Sequence, residues 1–408
     1  MLLTQLSNAL DRAFGTDVPK KLGVAVSGGG DSMALLDLLR LWGKSELHVT
    51  SVNHGLRAEA AEELALVTDY AVQNGLSHDI LQWHWDGAGN LQNAAREGRL
   101  RAIVDWAKEN QLWHVALGHT KDDQAETFLM RLSRGSGVDG LACMPEVRER
   151  DGLTWLRPML EISREDLRQH LRDNAIPWAD DPSNEDPRFD RVKARQMFET
   201  LAPLGLTTDR LAQTAAHMGR ERDVGNWALN TAAQNYATLN AGDVVLDVEA
   251  QKVLPEALYS RLMAEALSVV SGAQYKPRFR ALRAATEAGH PTSLHGCLIL
   301  PSKQSVRITR ELAAIQETRC HVTEIWDGRW RFAPPEDLDV AEMEIAVLGE
   351  QGLREIDEWR SLGRPRPSVL ASPTVWHGEK LVAAPLAGLK NGWQVRHLPH
   401  TSVFGTTC

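Results

Sequence analysis

The feature that most constrains this chain is the strict alternation, over its first two hundred residues, of short apolar runs with segments of helical period. Leu22 to Val26 reads as a buried strand and Met33 to Arg40 as a helix. His48 to Val52 is a second strand, followed by a helix from about Ala58 to Asn74. Asp79 to Trp83 and Trp113 to Leu117 are further strands, followed by helices over Leu91 to Lys108 and Asp122 to Arg134. Such alternation demands right-handed crossovers and gives an α/β, doubly wound, mostly parallel sheet with helices on both faces. In a sheet of this kind ligands sit beyond the carboxyl ends of the strands. The least ordinary residues of the chain fall at those ends.

After about residue 205 the texture changes. Leu211 to Leu239 and Leu254 to Val270 are Ala-rich and helical in period. Shorter alternating segments follow at Ser293 to Leu300, Ser305 to Thr309 and Val322 to Phe332. With 408 residues the chain exceeds one ordinary domain. We read residues 1–205 as the catalytic domain, 206–320 as a helical or mixed domain, and 321–408 as a small β-rich carboxyl-terminal domain. No run of about 18 apolar residues occurs, so a membrane span is not expected. The amino terminus, Met1-Leu-Leu-Thr-Gln-Leu, does not read as a secretory signal. Four scattered cysteines without a CxxC pair fit a reducing cytoplasm better than a disulfide framework or a zinc site. The net charge of −9, taken alone, argues against a nucleic-acid partner.

The sharpest motif is Ser27-Gly28-Gly29-Gly30-Asp31-Ser32, between the first strand and its helix. Glycines remove the Cβ atoms that would hold backbone N–H groups away from an anion, and the helix start adds free donors and a positive dipole end. The hydroxyls of Ser27 and Ser32 are suited to phosphate oxygens, and the Asp31 carboxylate to magnesium. The lysine of GxxxxGK[ST] is missing, which excludes an ordinary P-loop triphosphatase. A tight turn would also need glycine, but it would gain nothing from the flanking serines and aspartate.

At the end of the second strand stands Asn53-His54-Gly55-Leu56-Arg57, beside the glycine loop. Asn53 and His54 are candidates for the adenosine and Arg57 for a phosphate. After the fourth strand comes Gly118-His119-Thr120-Lys121-Asp122-Asp123-Gln124-Ala125-Glu126-Thr127. Ala125, Phe128, Leu129 and Leu132 form the buried stripe of a helix, which Asp122 or its neighbour caps. Asp123 and Glu126 then share one face of the first turn. Three carboxylates following a histidine exceed what capping needs.

The glycine loop resembles the pyrophosphate-binding loop of the N-type ATP pyrophosphatases. Paired with Gly118–Thr127, it resembles the tRNA(Ile)-lysidine synthetase family in particular. Ala95-Arg96-Glu97-Gly98-Arg99, Arg131-Leu-Ser-Arg134, Arg157-Pro158 and Asp181-Pro-Ser-Asn184 add to the match. So does Phe189-Asp-Arg191-Val-Lys193-Ala-Arg195, in which Val192 and Ala194 replace the family's usual Asn and Ile. The resemblance implies an ATP- and Mg2+-dependent ligase. It would adenylate C2 of the wobble cytidine in tRNA(Ile) with a CAU anticodon, after which the L-lysine ε-amine displaces AMP. It further implies that Asp31 holds magnesium and that Asp123 and Glu126, with Asp122 beside them, hold the lysine ammonium. Either of the pair would accept its proton. Arg99 would lie toward the lysine, Arg195 toward the adenylate phosphate, and His119 toward phosphate or cytidine. The nearest rival is a thiolase of the same superfamily, for which Cys143 is the only cysteine of the first domain.

The stretch from Lys276 to Arg310 carries seven basic side chains against one acid, Glu287. Arg278 and Arg280 in it are candidates for tRNA phosphates, so the global charge need not describe the local partner. Most of the 13 tryptophans, Trp326 and Trp330 among them, read as core rather than base-stacking residues. The oligomeric state stays open, a homodimer being one arrangement.

Overall fold

A computed structural model describes residues 1–55, 60–85, 91–180, 188, 190–273, 275–398 and 403–404. The chain forms two compact units, Met1–Asp223 and Val224–Cys408.

The first unit runs α1 (Leu2–Phe14), β1 (Lys21–Ala25), α2 (Gly30–Trp42), β2 (Glu46–Asn53), α3 (Ala60–Gln73), β3 (Ser77–Gln82), α4 (Leu91–Glu109), β4 (His114–Leu117), α5 (Lys121–Leu132), α6 (Val138–Leu141), β5 (Val147–Arg150), β6 (Leu153–Leu156), α7 (Arg164–Asp173) and α8 (Asp190–Leu201). Its sheet has the order β3-β2-β1-β4-β6-β5, parallel throughout except for β5, which pairs antiparallel with β6. The expected α/β architecture is therefore present, with each anticipated strand and helix found within a few residues of its place. Apolar residues fill both faces. Leu22, Val24, Met33, Leu36 and Leu39 are fully buried on one side, and Ile103, Trp106, Val115 and Trp155 on the other.

The strand order sets the site. The chain builds from β1 outward through β2 to β3, then returns to the opposite side of β1 with β4, where Gly23 pairs with Val115 and Ala25 with Leu117. Segments leaving β1 and β4 diverge to opposite faces at such a reversal and open a crevice.

Two elements of this unit lie outside the sequence expectation. The β5–β6 hairpin is polar on its outer strand, Val-Arg-Glu-Arg, and carries no strand signal. Helix α7 is dominated by charge and buries only Leu167 and Leu171. A buried polar cluster holds it to α2: Asp37, 1% exposed, accepts from Tyr70 Oη at 2.5 Å and from Arg40 at 2.7 Å, and meets His170 of α7 at 2.7 Å. Burial works against ionising Asp37, but Tyr70, Arg40 and His170 outweigh it and hold its carboxyl below the ordinary value.

Continuing along the chain are α9 (Thr208–Tyr236), β7 (Ala237–Asn240), β8 (Asp243–Asp247), α10 (Glu249–Val253), α11 (Glu256–Ser271), α12 (Phe279–Glu287), β9 (Thr292–Leu294), β10 (Cys297–Pro301) and β11 (Ser305–Arg310). In the second unit a five-stranded antiparallel sheet, β7-β8-β11-β10-β9, packs on α11, whose Leu262, Met263, Leu267 and Val270 are fully buried. The run Ser293 to Leu300 is two strands rather than one. His295 and Gly296 take positive φ (58° and 69°), as a tight two-residue hairpin turn requires. Beyond it, strands at Cys320–His321, Met343–Val347, Pro373–His377 and Lys380–Ala383 make a four-stranded sheet, and Trp330–Ala333 pairs with Gln394–His397. Of the expected strand from Val322 to Phe332, only Trp330 onward extends within a named strand, because Asp327 and Gly328 turn the chain with positive φ. Trp326 and Trp330 are buried core residues. Among the described residues no helix is long and apolar enough to cross a membrane.

Candidate active site

Strand β1 ends in the glycine loop, and α2 starts at Gly30 with no side chain capping its first turn. Its leading N–H groups are therefore open to an anion. Gly28 has φ +88°, and a Cβ there would lie 2.8 Å from the Glu63 carbonyl oxygen. Only glycine fits. Ser32 Oγ donates to the Gly29 carbonyl at 2.8 Å and accepts the Ser27 amide at 3.1 Å, fixing the curl of the loop. The neighbouring loop after β4 presses against it: a Cβ on Gly118 would lie 3.1 Å from Ser32 Cα and 3.2 Å from the Asp31 carbonyl carbon.

Helix α5 begins with a reciprocal cap. Asp123 N–H donates to Thr120 Oγ1 while the Thr120 amide donates to Asp123 Oδ2 at 2.8 Å. The N-cap residue is thus Thr120, with Asp123, the neighbour of Asp122, completing the box, while Asp122 itself takes no part in it. The Asp122 carboxylate instead accepts the Arg164 amide at 2.7 Å, at the start of α7. Asp123 and Glu126 are buried, Glu126 completely.

Three carboxylates converge on one guanidinium. Arg164 donates from Nε to Asp31 at 3.0 Å, from Nη2 to Asp123 at 3.3 Å and from Nη1 to Glu126 at 3.3 Å. Glu126 also receives Arg195, at 2.9 Å and 3.0 Å, and Arg191 lies at 3.5 Å. Burial disfavours charge on Arg164, yet the three acids more than reverse this and hold it firmly protonated. Burial likewise opposes ionisation of Asp123, but Arg164, Arg191, His119 and the Thr120 amide keep its carboxyl below the ordinary value. Asp31 goes the other way. Burial raises its carboxyl, Arg164 opposes, and Asp123 adds to the rise. Its Oδ1 is buried without a hydrogen-bond partner, a free anionic oxygen beside the glycine loop. A divalent cation fits that oxygen.

His119, at the end of β4, is held neutral, its imidazole pushed down to about 4 by burial, with Asp123 opposing and Arg157, Arg191 and Arg99 reinforcing. The arginines of the site thus include two from quoted motifs, Arg157 and Arg191, that carried no assigned role. Arg164 belonged to no motif. The cap signal Ser163-x-x-Asp166, in which Ser163 accepts the Asp166 amide, is the local mark that locates its helix.

Other candidates are placed differently. Asn53 Oδ1 accepts the Gly55 amide at 2.9 Å, folding into its own turn, and His54 packs edge-on against Trp83 with ring centres 5.6 Å apart. Both stand at the carboxyl end of β2, next to β1. Arg57 lies outside the described residues, as do Asp181–Asn184. Arg99, on α4, keeps an exposed surface yet lies close enough to the crevice to act on His119, and burial, with Arg96 and Arg191, lowers its own guanidinium. In the second unit the positive stretch is partly self-neutralised. Lys276 pairs with Glu265 at 3.1 Å, Arg283 with Glu287 at 2.8 Å, Arg307 with Asp243 at 2.8 Å and Arg310 with Asp327 at 3.0 Å. Arg278, Arg280 and Lys303 remain, and Tyr275 and Phe279 beside the first two are 77% and 60% exposed. The seven-to-one excess therefore overstates the charge available to a partner.

A glycine loop at the switch point of a parallel sheet, facing acidic side chains, defines the class: residues 2–201 match the PP-loop domain. The similarity extends well past that domain. The tRNA(Ile)-lysidine synthase of Ruegeria pomeroyi is 45% identical over 404 residues, covering 96% of each chain. That of Wolbachia sp. subsp. Brugia malayi is 33% identical, covering 73% of this chain and 72% of its own, and that of Wolbachia pipientis wMel is 30% identical, covering 90% and 88%. The chain belongs to the tRNA(Ile)-lysidine synthase family.

Proposed function

We propose that this chain is an ATP-dependent ligase that joins L-lysine to the wobble cytidine of tRNA(Ile) bearing a CAU anticodon, in the cytoplasm. The observation that carries the reading is one crevice holding an uncapped glycine loop suited to phosphates and, directly facing it, carboxylates suited to cations. Amides of Gly28–Ser32 bind the β- and γ-phosphates while the cytidine C2 oxygen attacks the α-phosphorus and pyrophosphate leaves. A magnesium ion held at Asp31 Oδ1 would neutralise charge on the departing pyrophosphate. In the second step the lysine ammonium is held at Asp123 and Glu126, one of which takes its proton, and the free amine displaces AMP from C2. Arg195 and Arg191 stand beside Glu126 to meet phosphate charge, and Arg99 lines the lysine side. His119, neutral at pH 7, acts as a hydrogen-bonding group toward phosphate or base. Asn53, His54 and Arg57 remain our candidates for the adenosine side, and Arg278 and Arg280 for tRNA phosphates.

The thiolase reading loses its best support. Cys143 is buried, and burial pushes its thiol up to about 11, so little thiolate exists at neutral pH. The deciding experiment identifies the nucleoside formed from this tRNA, ATP and L-lysine. Lysidine, with AMP release dependent on both tRNA and lysine, is expected. AMP release that ignores lysine but needs a sulfur donor overturns the proposal.

A further inference from the structure

Asp31 comes from the first turn of α2, and Asp123 and Glu126 from the first turns of α5. Ionised carboxylates gathered in a mostly buried crevice repel one another, and each loses hydration that only a direct partner restores. Arg164 is their common partner, with a different nitrogen directed at each. A planar guanidinium with five N–H donors suits this task, whereas an ammonium is a single point of charge. The backbone beneath it is anchored. The Arg164 amide is held by Asp122, and α7 is tied to α2 through His170 and Asp37. The side chain itself is 21% exposed, so a route outward exists.

The three partners differ in what else holds them. Glu126 keeps Arg191 and Arg195, and Asp123 keeps Thr120. Asp31 has no other ion pair among the described residues, and its second oxygen is already without a hydrogen-bond partner. We infer that Arg164 is a resident counter-cation: it holds the three carboxylates together before substrates arrive, and it gives up Asp31 to the divalent cation that enters with ATP. The inference rests on the proposed assignment of Asp31. Its consequence is that metal affinity includes the cost of displacing a guanidinium, so removing that guanidinium tightens metal binding.

The test follows the thermal midpoint of the full chain as Mg2+ is titrated with ATP present and tRNA and lysine withheld, so that nothing turns over. Arg164→Met is expected to lower the midpoint without Mg2+ and to lower the half-saturating Mg2+ by about tenfold relative to the unmodified protein. Arg164→Lys, which keeps the charge but reaches fewer oxygens, falls between them; should the Met variant fail to fold, this second variant decides. An unchanged or raised half-saturation, or no Mg2+ response in any of these proteins, overturns the exchange. Asp31→Asn in the otherwise unmodified chain is expected to abolish the response. If it does not, the assignment of the metal to Asp31 fails separately.

Discussion

At the scale of single residues, the site depends on a few atoms having no alternative. Gly118 is one of them. Its missing Cβ lets the loop after β4 rest on the Ser32 and Asp31 backbone. Gly118→Ala should therefore push the two loops apart by a few tenths of an ångström, weakening ATP binding by tenfold or more while costing only about 1–2 kcal/mol of stability. Nucleotide titration of the folded variant measures the first, and denaturant unfolding the second. His119 offers a test by pH. Its folded-state imidazole, lowered to about 4 from 6.5, binds fewer protons than the unfolded chain within that window. Its contribution is therefore lost as pH falls from about 6.5 toward 4. His119→Gln should remove roughly 3 kcal/mol of that acid destabilisation, seen as a flatter denaturation midpoint between those pH values. An identical pH profile in the variant would show that the histidine is not held neutral.

At the scale of elements, what could be read in advance followed periodicity. Strands β1, β2 and β4, rich in Val, Leu and Ala, and helices with a clear apolar stripe announced themselves, and with them the glycine loop and the Asp123/Glu126 face. Helix α7 did not, because Arg-Glu-Asp-Leu-Arg-Gln-His-Leu-Arg-Asp has two apolar residues and gains its place from tertiary ion pairs. Consequently Arg164, which lies far along the chain from Asp31, could not be placed beside it by spacing. The outer strand of the β5–β6 hairpin escaped for a related reason: at a sheet edge a polar strand is held by its neighbour's backbone, not by its own burial. Two predictions belong here. Ser163→Ala removes the α7 cap and should cost about 1 kcal/mol, raising the lysine KM through the loosened Arg164 more than it lowers kcat. Asp37→Ala leaves Arg40, His170 and Tyr70 facing an empty centre and should cost roughly 3–5 kcal/mol, measurable as a large drop in thermal midpoint.

At the scale of the whole molecule, a net charge of −9 does not conflict with the proposed RNA partner, because charge is spread unevenly along the chain. Four of the seven basic side chains between Lys276 and Arg310 pair with acids of their own unit, leaving Arg278 and Arg280 without carboxylate partners among the described residues. Replacing both with Ala should raise the tRNA KM several-fold and reduce the slope of log K against log salt by about 2, with ATP binding unchanged. A normal salt slope would move the phosphate contacts elsewhere. The pairing of β1 with β4 bears on synthesis as well. Gly23 finds its partner only when Val115 has been made, and the crevice is complete only after Arg195. Until then the emerging chain carries an apolar strand with one unpaired edge, the kind of surface that associates with other chains. Substitutions that slow β4 docking should therefore cost yield of folded protein before they cost activity.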